Sequence, residues 1–560
     1  MAEPDIQPAA KRTRRVDDSP GQAILAAHQS NELFVAIVGP AGAGAGTAAK
    51  TIEAFFTDDY NYEAVIIKAS GLIKNAALRL GLSVPAEGSR KSLDSITIMQ
   101  DRGDDLRKGK DANDKEDHSA VARYILRQIS VERARLQDET FDEENAVAPD
   151  GKKRVYIIDS LRHPAEANLL RRVYQEAFAL VGIVCDPAVR EKRIRENLFD
   201  RADWGAQTTK DSVREFLDRD EDAPEKFGQH VSDTFHEADF FVDNSAVGND
   251  DLSITGMNDQ LKRFVSLIVQ DRIVRPSIAE TAMHHARSAQ MRSACLSRQV
   301  GAAIVNRSGT IVSTGTNEAP KAGGGVYGES FDQTDGLDHR CAFRETVYCS
   351  SNKEQNAIIE ELIDAFPELT SNNDKQTVLR KIRETRLGGL IEFSRAVHAE
   401  MDAILSASLA GVSPKGCRLF VTTYPCHYCA RHIVAAGIDE VQFIEPYPKS
   451  RATALHSDAI TTESEGWAPP SWIQNQIRTN RDIGSDDPTS PSIMENKVLF
   501  KPFVGVSPRM YRRVFLKDRD YKDKVTGERI FGTPNWGGPL DNYKESYVTL
   551  EHKLGREADD

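Results

Sequence analysis

The chain has 560 residues, enough for two to four domains. It is 40% hydrophobic and 28% charged, the balance of globular domains with real cores, and 72 basic against 85 acidic side chains leave a formal charge of −13. That acid excess disfavours a long polynucleotide as substrate, because a phosphate backbone repels it, whereas a small nucleotide needs only a local basic pocket.

Seven unevenly spread cysteines do not make a disulfide framework and point to a reducing cytoplasm. No run of 18 apolar residues occurs, so no membrane span is expected, and the first 22 residues lack the apolar segment of a signal peptide. Residues 1–30 read as a disordered basic tail whose Lys11-Arg12-Thr13-Arg14-Arg15 cluster is solvated charge or a nucleic-acid contact.

Residues 31–250 alternate between strand and helix. Strands are expected at 33–38, 64–69, 154–160, 179–185 and 237–245, with helices at 47–56, 119–136, 165–178 and 189–197. That alternation argues a parallel, doubly wound sheet. Residues 85–118 include DRGDDLRKGKDANDKEDH and read as a mobile surface region. A polar, glycine-containing stretch at 246–257 places a domain boundary near 250. In 251–475 a helix at 283–297 leads into a hairpin of strands 299–306 and 310–317. A mixed insertion at about 318–390 follows, then helix 398–409, strand 418–423, helix 426–436 and strand 440–444. Residues 476–560 are expected to be an extension packing on this second half. The fold class expected is α/β, with two such units.

Between the first strand and helix runs GPAGAGAGT, Gly39–Thr47. Against the P-loop pattern G-x-x-x-x-G-K-[ST], Gly39 and Gly44 fit, but Ala45 replaces the lysine, Gly46 the hydroxyl residue, and Thr47 comes one position late. Backbone N–H groups of Gly39, Gly42, Gly44, Gly46 and Thr47 and the helix N-terminus can still hold phosphates. The charge for phosphoryl transfer and the anchor for Mg²⁺ are lost. The loop thus reads as a site for a nucleoside triphosphate such as ATP that is regulatory rather than catalytic, or as a relic. "IIDS" at 157–160 resembles a Walker-B strand with Asp159, which could equally cap the next helix, and LRHPAE follows as in nucleotide-kinase-like folds.

The second half carries "HAE" at 398–400 and "PCHYC" at 425–429. One imidazole, His398, and two thiolates, Cys426 and Cys429, suit Zn²⁺, and three protein ligands leave a fourth position open, as in catalytic sites. Zinc lowers the pKa of water to about 7. Glu400, two residues past His398, is placed to move protons rather than to ligate. H-x-E…P-C-x-x-C is the signature of zinc nucleobase deaminases. His427 and His432 are expected outside the metal. Cys341 and Cys349, with His339, read as free thiols or a second metal site, and Cys185, Cys295 and Cys417 as core or strand residues.

CLSRQVGAAIV (295–305), TGTNEAP (314–320), HAE and TTYPCHYC (422–429) resemble the deoxycytidylate deaminase group of the cytidine deaminase superfamily. The resemblance implies zinc ligands His398, Cys426 and Cys429, proton shuttle Glu400, Asn317 on the nucleotide sugar and Arg298 on its phosphate. With the P-loop kinase-like half, EPYPKSRATALHSDAI (445–460) and FKPFVGVSPRMYRRVF (500–515), the whole resembles the bacterial antiphage dCTP deaminases. That implies a P-loop nucleotide-kinase-like doubly wound sheet fused to a cytidine-deaminase-like α/β/α domain, acting on free deoxycytidine nucleotides as a homo-oligomer. It also implies dCTP depletion during infection and an inhibitory small RNA. Glu445–Tyr447 and the basic 509–513 stretch could close the pocket or only wrap the fold. A housekeeping dCMP deaminase, a polynucleotide-editing deaminase and a non-enzymatic nucleotide sensor are the alternatives.

Overall fold

The computed structural model describes residues 30–86, 91–109, 115–221, 226–245, 251–328, 338–371, 373–447, 449–474, 496–516, 522–523, 525–528 and 544–556. The tail expected at 1–30 lies, but for its last residue, outside them. The chain forms two compact units, Met1–Ala238 with Asp243–Arg272 and Lys517–Asp560, and Asp239–Val242 with Ile273–Leu516.

In the first unit β1 (Glu32–Val38), β2 (Glu63–Lys68), β3 (Arg154–Asp159) and β4 (Phe178–Val184) run parallel in the order β2-β3-β1-β4. The strand expected at 237–245 is the short β5 (Phe240–Asp243). All of β1 and β4 is buried, which is why ELFVAIV and FALVGIV are almost continuously apolar. The helices Ala45–Ala54, Ala69–Arg79, Ala120–Leu136 and Pro164–Tyr174 alternate with these strands as the doubly wound reading requires.

Three expectations need correcting here. Residues 85–118 contain the helix Leu93–Arg107, started by a Ser92/Ser95 capping box. Its charges have partners far away in sequence: Arg107 is buried against Glu166 (Nη2 to Oε1 2.7 Å), and Arg219 reaches Asp101 and Asp104. The boundary expected near 250 falls between Arg272 and Ile273, because Asp251–Val269 is a helix of the first unit with Leu261, Phe264, Val265 and Ile268 buried. The extension divides. Lys517–Asp560 joins the first unit, where helix Lys544–Arg556 buries Tyr547 and Glu551, while the segment before it stays with the second.

The second unit holds a sheet in the order β7-β6-β8-β9-β11-β10. Its strands are β6 (Gly301–Val305), β7 (Ile311–Thr316), β8 (Arg418–Thr423), β9 (Glu440–Glu445), β10 (Ile460–Thr461) and β11 (Val498–Pro502). β6 pairs antiparallel with β7 and β8, and the rest is parallel. Helix Ala399–Leu409 packs on β7 and β6, and helix Ile278–Gln290 on β6, β8 and β7. The core joins Ala302, Ile304, Leu419, Val421 and Val441 from strands to Ala399, Ala403, Cys429 and Ile433 from helices. Within the insertion, helices Ser350–Ala365 and Lys375–Arg383 bury their own cluster of Ile359, Ile363, Val378 and Leu379.

Candidate metal centre and glycine loop

Two helices begin at the metal residues. His398 is the N-cap of Ala399–Leu409, and Cys426 the N-cap of His427–Ala435, where its Sγ accepts from Cys429 N at 3.4 Å. The helix N-termini present positive partial charge, which favours thiolate. Cys426 Sγ lies 3.3 Å and Cys429 Sγ 3.4 Å from His398 Nδ1. All three ligand atoms fall within 4.8 Å of one another, and this is the one such cluster among the described residues. Zn–N and Zn–S bonds at a tetrahedral angle would set N and S about 3.6 Å apart, so the donor set and its spacing fit zinc.

Glu400 is 4% exposed. Burial, then the charge of Cys426, pushes its carboxyl up to about 7. The Cys429 hydrogen bond and His398 draw the Cys426 thiol down to about 4, whereas burial drives Cys429 up. For His398, burial alone would lower the pKa, but the hydrogen bond and charge of Cys426 raise it.

The backbone brings this helix close to the sheet. A Cβ on Gly315 of β7 would run into Ala399 O and Ala403 N, so only glycine permits the contact. Two residues not singled out from sequence hold the register. Asp402 accepts from Thr316 N (2.9 Å). Glu318, 2% exposed, takes N–H bonds from Ala294 (2.8 Å) and Ala319 (2.9 Å) while its backbone pairs with Val397, next to His398. An acid four residues beyond the histidine and the one inside TGTNEAP were the available signals.

Asn317 is 7% exposed and both ends of its side chain meet backbone: Oδ1 accepts from Val300 N and Nδ2 donates to Arg298 O, each at 2.6 Å. Arg298 itself pairs with Glu445 (3.1 Å), which also accepts from Thr423 Oγ1 (2.8 Å), and its guanidinium lies 5.9 Å from the Tyr447 ring centre. Tyr447 in turn feels burial and then the Cys426 charge, both raising its phenol. Tyr447 also packs against the core that includes Cys426 and Cys429, which links Arg298 to the metal residues. The 509–513 stretch is part of helix Pro508–Phe515, with Tyr511 stacked on His284 at 4.2 Å. His427 and His432 are outside the cluster, and His432 Nδ1 contacts Tyr428 O. All seven cysteines are free, and Cys341, Cys349 and His339 form no metal group among the described residues.

In the first unit Gly39 ends β1's loop entry and Gly44, at φ 95°, caps helix Ala45–Ala54. A side chain at Gly44 would be strained and would strike Asn244 Nδ2, which donates to Ala43 O at 2.7 Å. Gly46 faces Asp159, whose Oδ2 lies 3.4 Å from where a Cβ would sit, and Thr47 is exposed. Asp159 does not cap the next helix; His163 does. Burial raises the Asp159 carboxyl, with Lys68, Arg162 and Lys91 opposing.

A cluster of half-buried His398 with buried Cys426 and Cys429, beside the buried Glu400, has the donor set of a zinc site with one position open. Residues 276–445 match the family described as cytidine and deoxycytidylate deaminase zinc-binding region. Deoxycytidylate deaminase of Enterobacteria phage T4 is 30% identical over 31% of this chain and 80% of its own length. The chain belongs to the cytidine and deoxycytidylate deaminase family. Among solved structures, dCMP deaminase from cyanophage S-TIM5 in complex with dCMP and dUMP is 20% identical, over 33% of this chain and 93% of that one, at TM-score 0.20. Shikimate kinase from Acinetobacter baumannii in complex with shikimate is 12% identical, over 45% and 99%, at TM-score 0.21. Among the described residues no helix is long and apolar enough to cross a membrane.

Proposed function

We propose that this chain hydrolyses the 4-amino group of free deoxycytidine nucleotides, dCTP to dUTP with dCMP to dUMP as the nearest alternative, releasing ammonia. The His398–Cys426–Cys429 cluster with Glu400 buried beside it carries this reading. Zinc held by those three residues would supply Lewis-acid chemistry and make water acidic enough to attack near neutral pH. Glu400 accepts the proton of the attacking water and passes it to the departing amine, so water enters, ammonia leaves and the carboxylate is regenerated. Arg298 exchanges Glu445 for substrate phosphate, and Asn317 holds the 298–300 segment that presents it. The choice of dCTP, dCTP depletion as an antiphage role in the cytoplasm, and an inhibitory small RNA rest on the family resemblance. So does a homo-oligomer, for which the exposed Leu405, Leu409 and Val412 offer a surface. The loop Gly39–Thr47 binds a nucleoside triphosphate through backbone N–H groups and regulates the deaminase.

The test is purified protein incubated with dCTP, dCMP, CTP and single-stranded DNA, with uracil products scored. Glu400→Gln should keep stoichiometric zinc and lose at least about 10³-fold in rate. Substantial turnover by that variant would assign the proton transfers elsewhere, and product from DNA alone would overturn the free-nucleotide reading.

A further inference from the structure

We infer that the glycine loop is held shut by an internal anion: the Asp220 carboxylate occupies a backbone donor at the mouth of the loop, and a polyphosphate must displace it to bind. This rests on the proposed triphosphate site at Gly39–Thr47. Asp220 lies near the end of helix Gln207–Glu221 and is only 2% exposed. Its Oδ2 accepts from Ala41 N at 2.6 Å. Arg162 Nη1 donates to both its oxygens at 2.8 and 2.9 Å, and also to Gly39 O at 3.3 Å. Gln100 Nε2 approaches at 3.4 Å.

One carboxylate thus links the loop, the turn after β3 and a distant helix. A short N–H bond to a carboxylate is of the stronger, charge-assisted kind. The donor it takes belongs to the same glycine-rich turn that would cradle phosphate, and two anions sharing that turn repel each other. Ala45 leaves the loop without a cation of its own, whereas Arg162 is already hydrogen-bonded to the loop. Displacing Asp220 releases that guanidinium toward the phosphate. Binding at the loop is therefore coupled to release of helix Gln207–Glu221, which makes the helix a movable reporter of nucleotide occupancy.

The test uses the full zinc-loaded chain titrated with ATP and with inorganic tripolyphosphate by calorimetry at fixed ionic strength. Asp220→Asn keeps an oxygen to accept Ala41 N–H and removes only the charge, so both ligands should bind about fivefold tighter or more. Adding Arg162→Gln should reverse the gain. Binding that is unchanged or weaker in Asp220→Asn overturns the lock and leaves the loop a nucleotide site with Asp220 as a brace. Absence of binding at millimolar ligand in both proteins overturns the loop reading and the lock with it. The parent protein gives a second readout that needs no variant. Tripolyphosphate should slow amide exchange at residues 39–47 and speed it at 207–221, and a helix whose exchange is unchanged or slowed would refute displacement.

Discussion

Glu551→Gln should destabilise the first unit by about 3 kcal/mol. Arg133 and Glu32 are fully buried and Glu551 is 1% exposed. Arg133 gives Nε and Nη2 to Glu32 at 2.8 to 3.1 Å, and Nη2 to Glu551 at 3.0 Å, with Nη1 on Glu551 as well. One guanidinium between two carboxylates leaves excess negative charge, and hydroxyls offset it. Ser130 and Tyr174 donate to Glu551 at 2.6 Å, and Tyr547 to Glu32 at 3.0 Å. A glutamine keeps one acceptor but turns an NH₂ toward groups that are themselves donors. Each charge-assisted bond contributes about 1.5–3 kcal/mol and each orphaned buried donor costs about 1–3 kcal/mol. Glu32 still pairs with Arg133 in the variant, which keeps the loss at the low end of the 3–5 kcal/mol typical of a broken buried pair. Arg133→Met should cost more, about 5 kcal/mol, since two carboxylates then lose their common cation. Scanning calorimetry should show the first unit melting about 6–10 °C lower for Glu551→Gln, with zinc content unchanged. A shift within 1 °C, or an Arg133→Met variant more stable than Glu551→Gln, would refute the reasoning.

Gly315→Ala should loosen the helix that carries Glu400 and lower both zinc retention and deamination, since the new methyl meets backbone that cannot rotate away; full zinc and normal rate would show that β7 can shift. Acid should weaken the first unit between about pH 6.5 and 4 through His163. Its Nδ1 accepts from Ala165 N and its Nε2 faces Lys226 O, each at 3.1 Å, an arrangement for the neutral ring, and burial pushes its pKa down to about 4. A base with a depressed folded pKa binds fewer protons when native, so its stabilisation is complete above the unfolded value and lost as pH falls through the window, by at most about 3 kcal/mol. His163→Asn, which can still cap the helix, should flatten that slope; an unchanged slope would assign the acid sensitivity to other groups.

The metal cluster was legible because its chemistry is local. HAE and PCHYC each fix a ligand at the N-cap of a helix, and only the pairing of the two helices had to be supplied by the fold. The β6–β7 hairpin and the buried parallel strands were legible for the same reason, since their periodicity is written over a few residues. The misreadings share the opposite cause. DRGDDLRKGK looks like solvated charge until Glu166 and Arg219 are placed against it, and Lys544–Arg556 looks like an appendage until Glu551 meets Arg133. Partners separated by 59 residues in one case and 418 in the other leave no trace in a sequence window. Asn317 falls between these cases. Its position after β7 could be read, but not that both ends of its amide would be spent on the backbone of 298 and 300.

The glycine loop separates two things that a motif reports together. Ala45 removes the side chain that would contribute charge to phosphoryl transfer, and no rearrangement of the loop restores it. The turn itself does not depend on that lysine. Gly44 sits at φ 95°, Asn244 fills the space a side chain would need, and the helix begins directly after it. Loss of one residue can thus abolish transfer while leaving the backbone donors where they were. In this chain another N–H of the same turn, that of Ala41, faces a carboxylate fixed by Arg162. For a loop that only packs, an apolar contact at Ala41 would avoid the desolvation cost of burying the Asp220 charge. The buried carboxylate on a loop N–H, with one guanidinium bonded to both carboxylate and loop, is the observation on which the proposed switch rests.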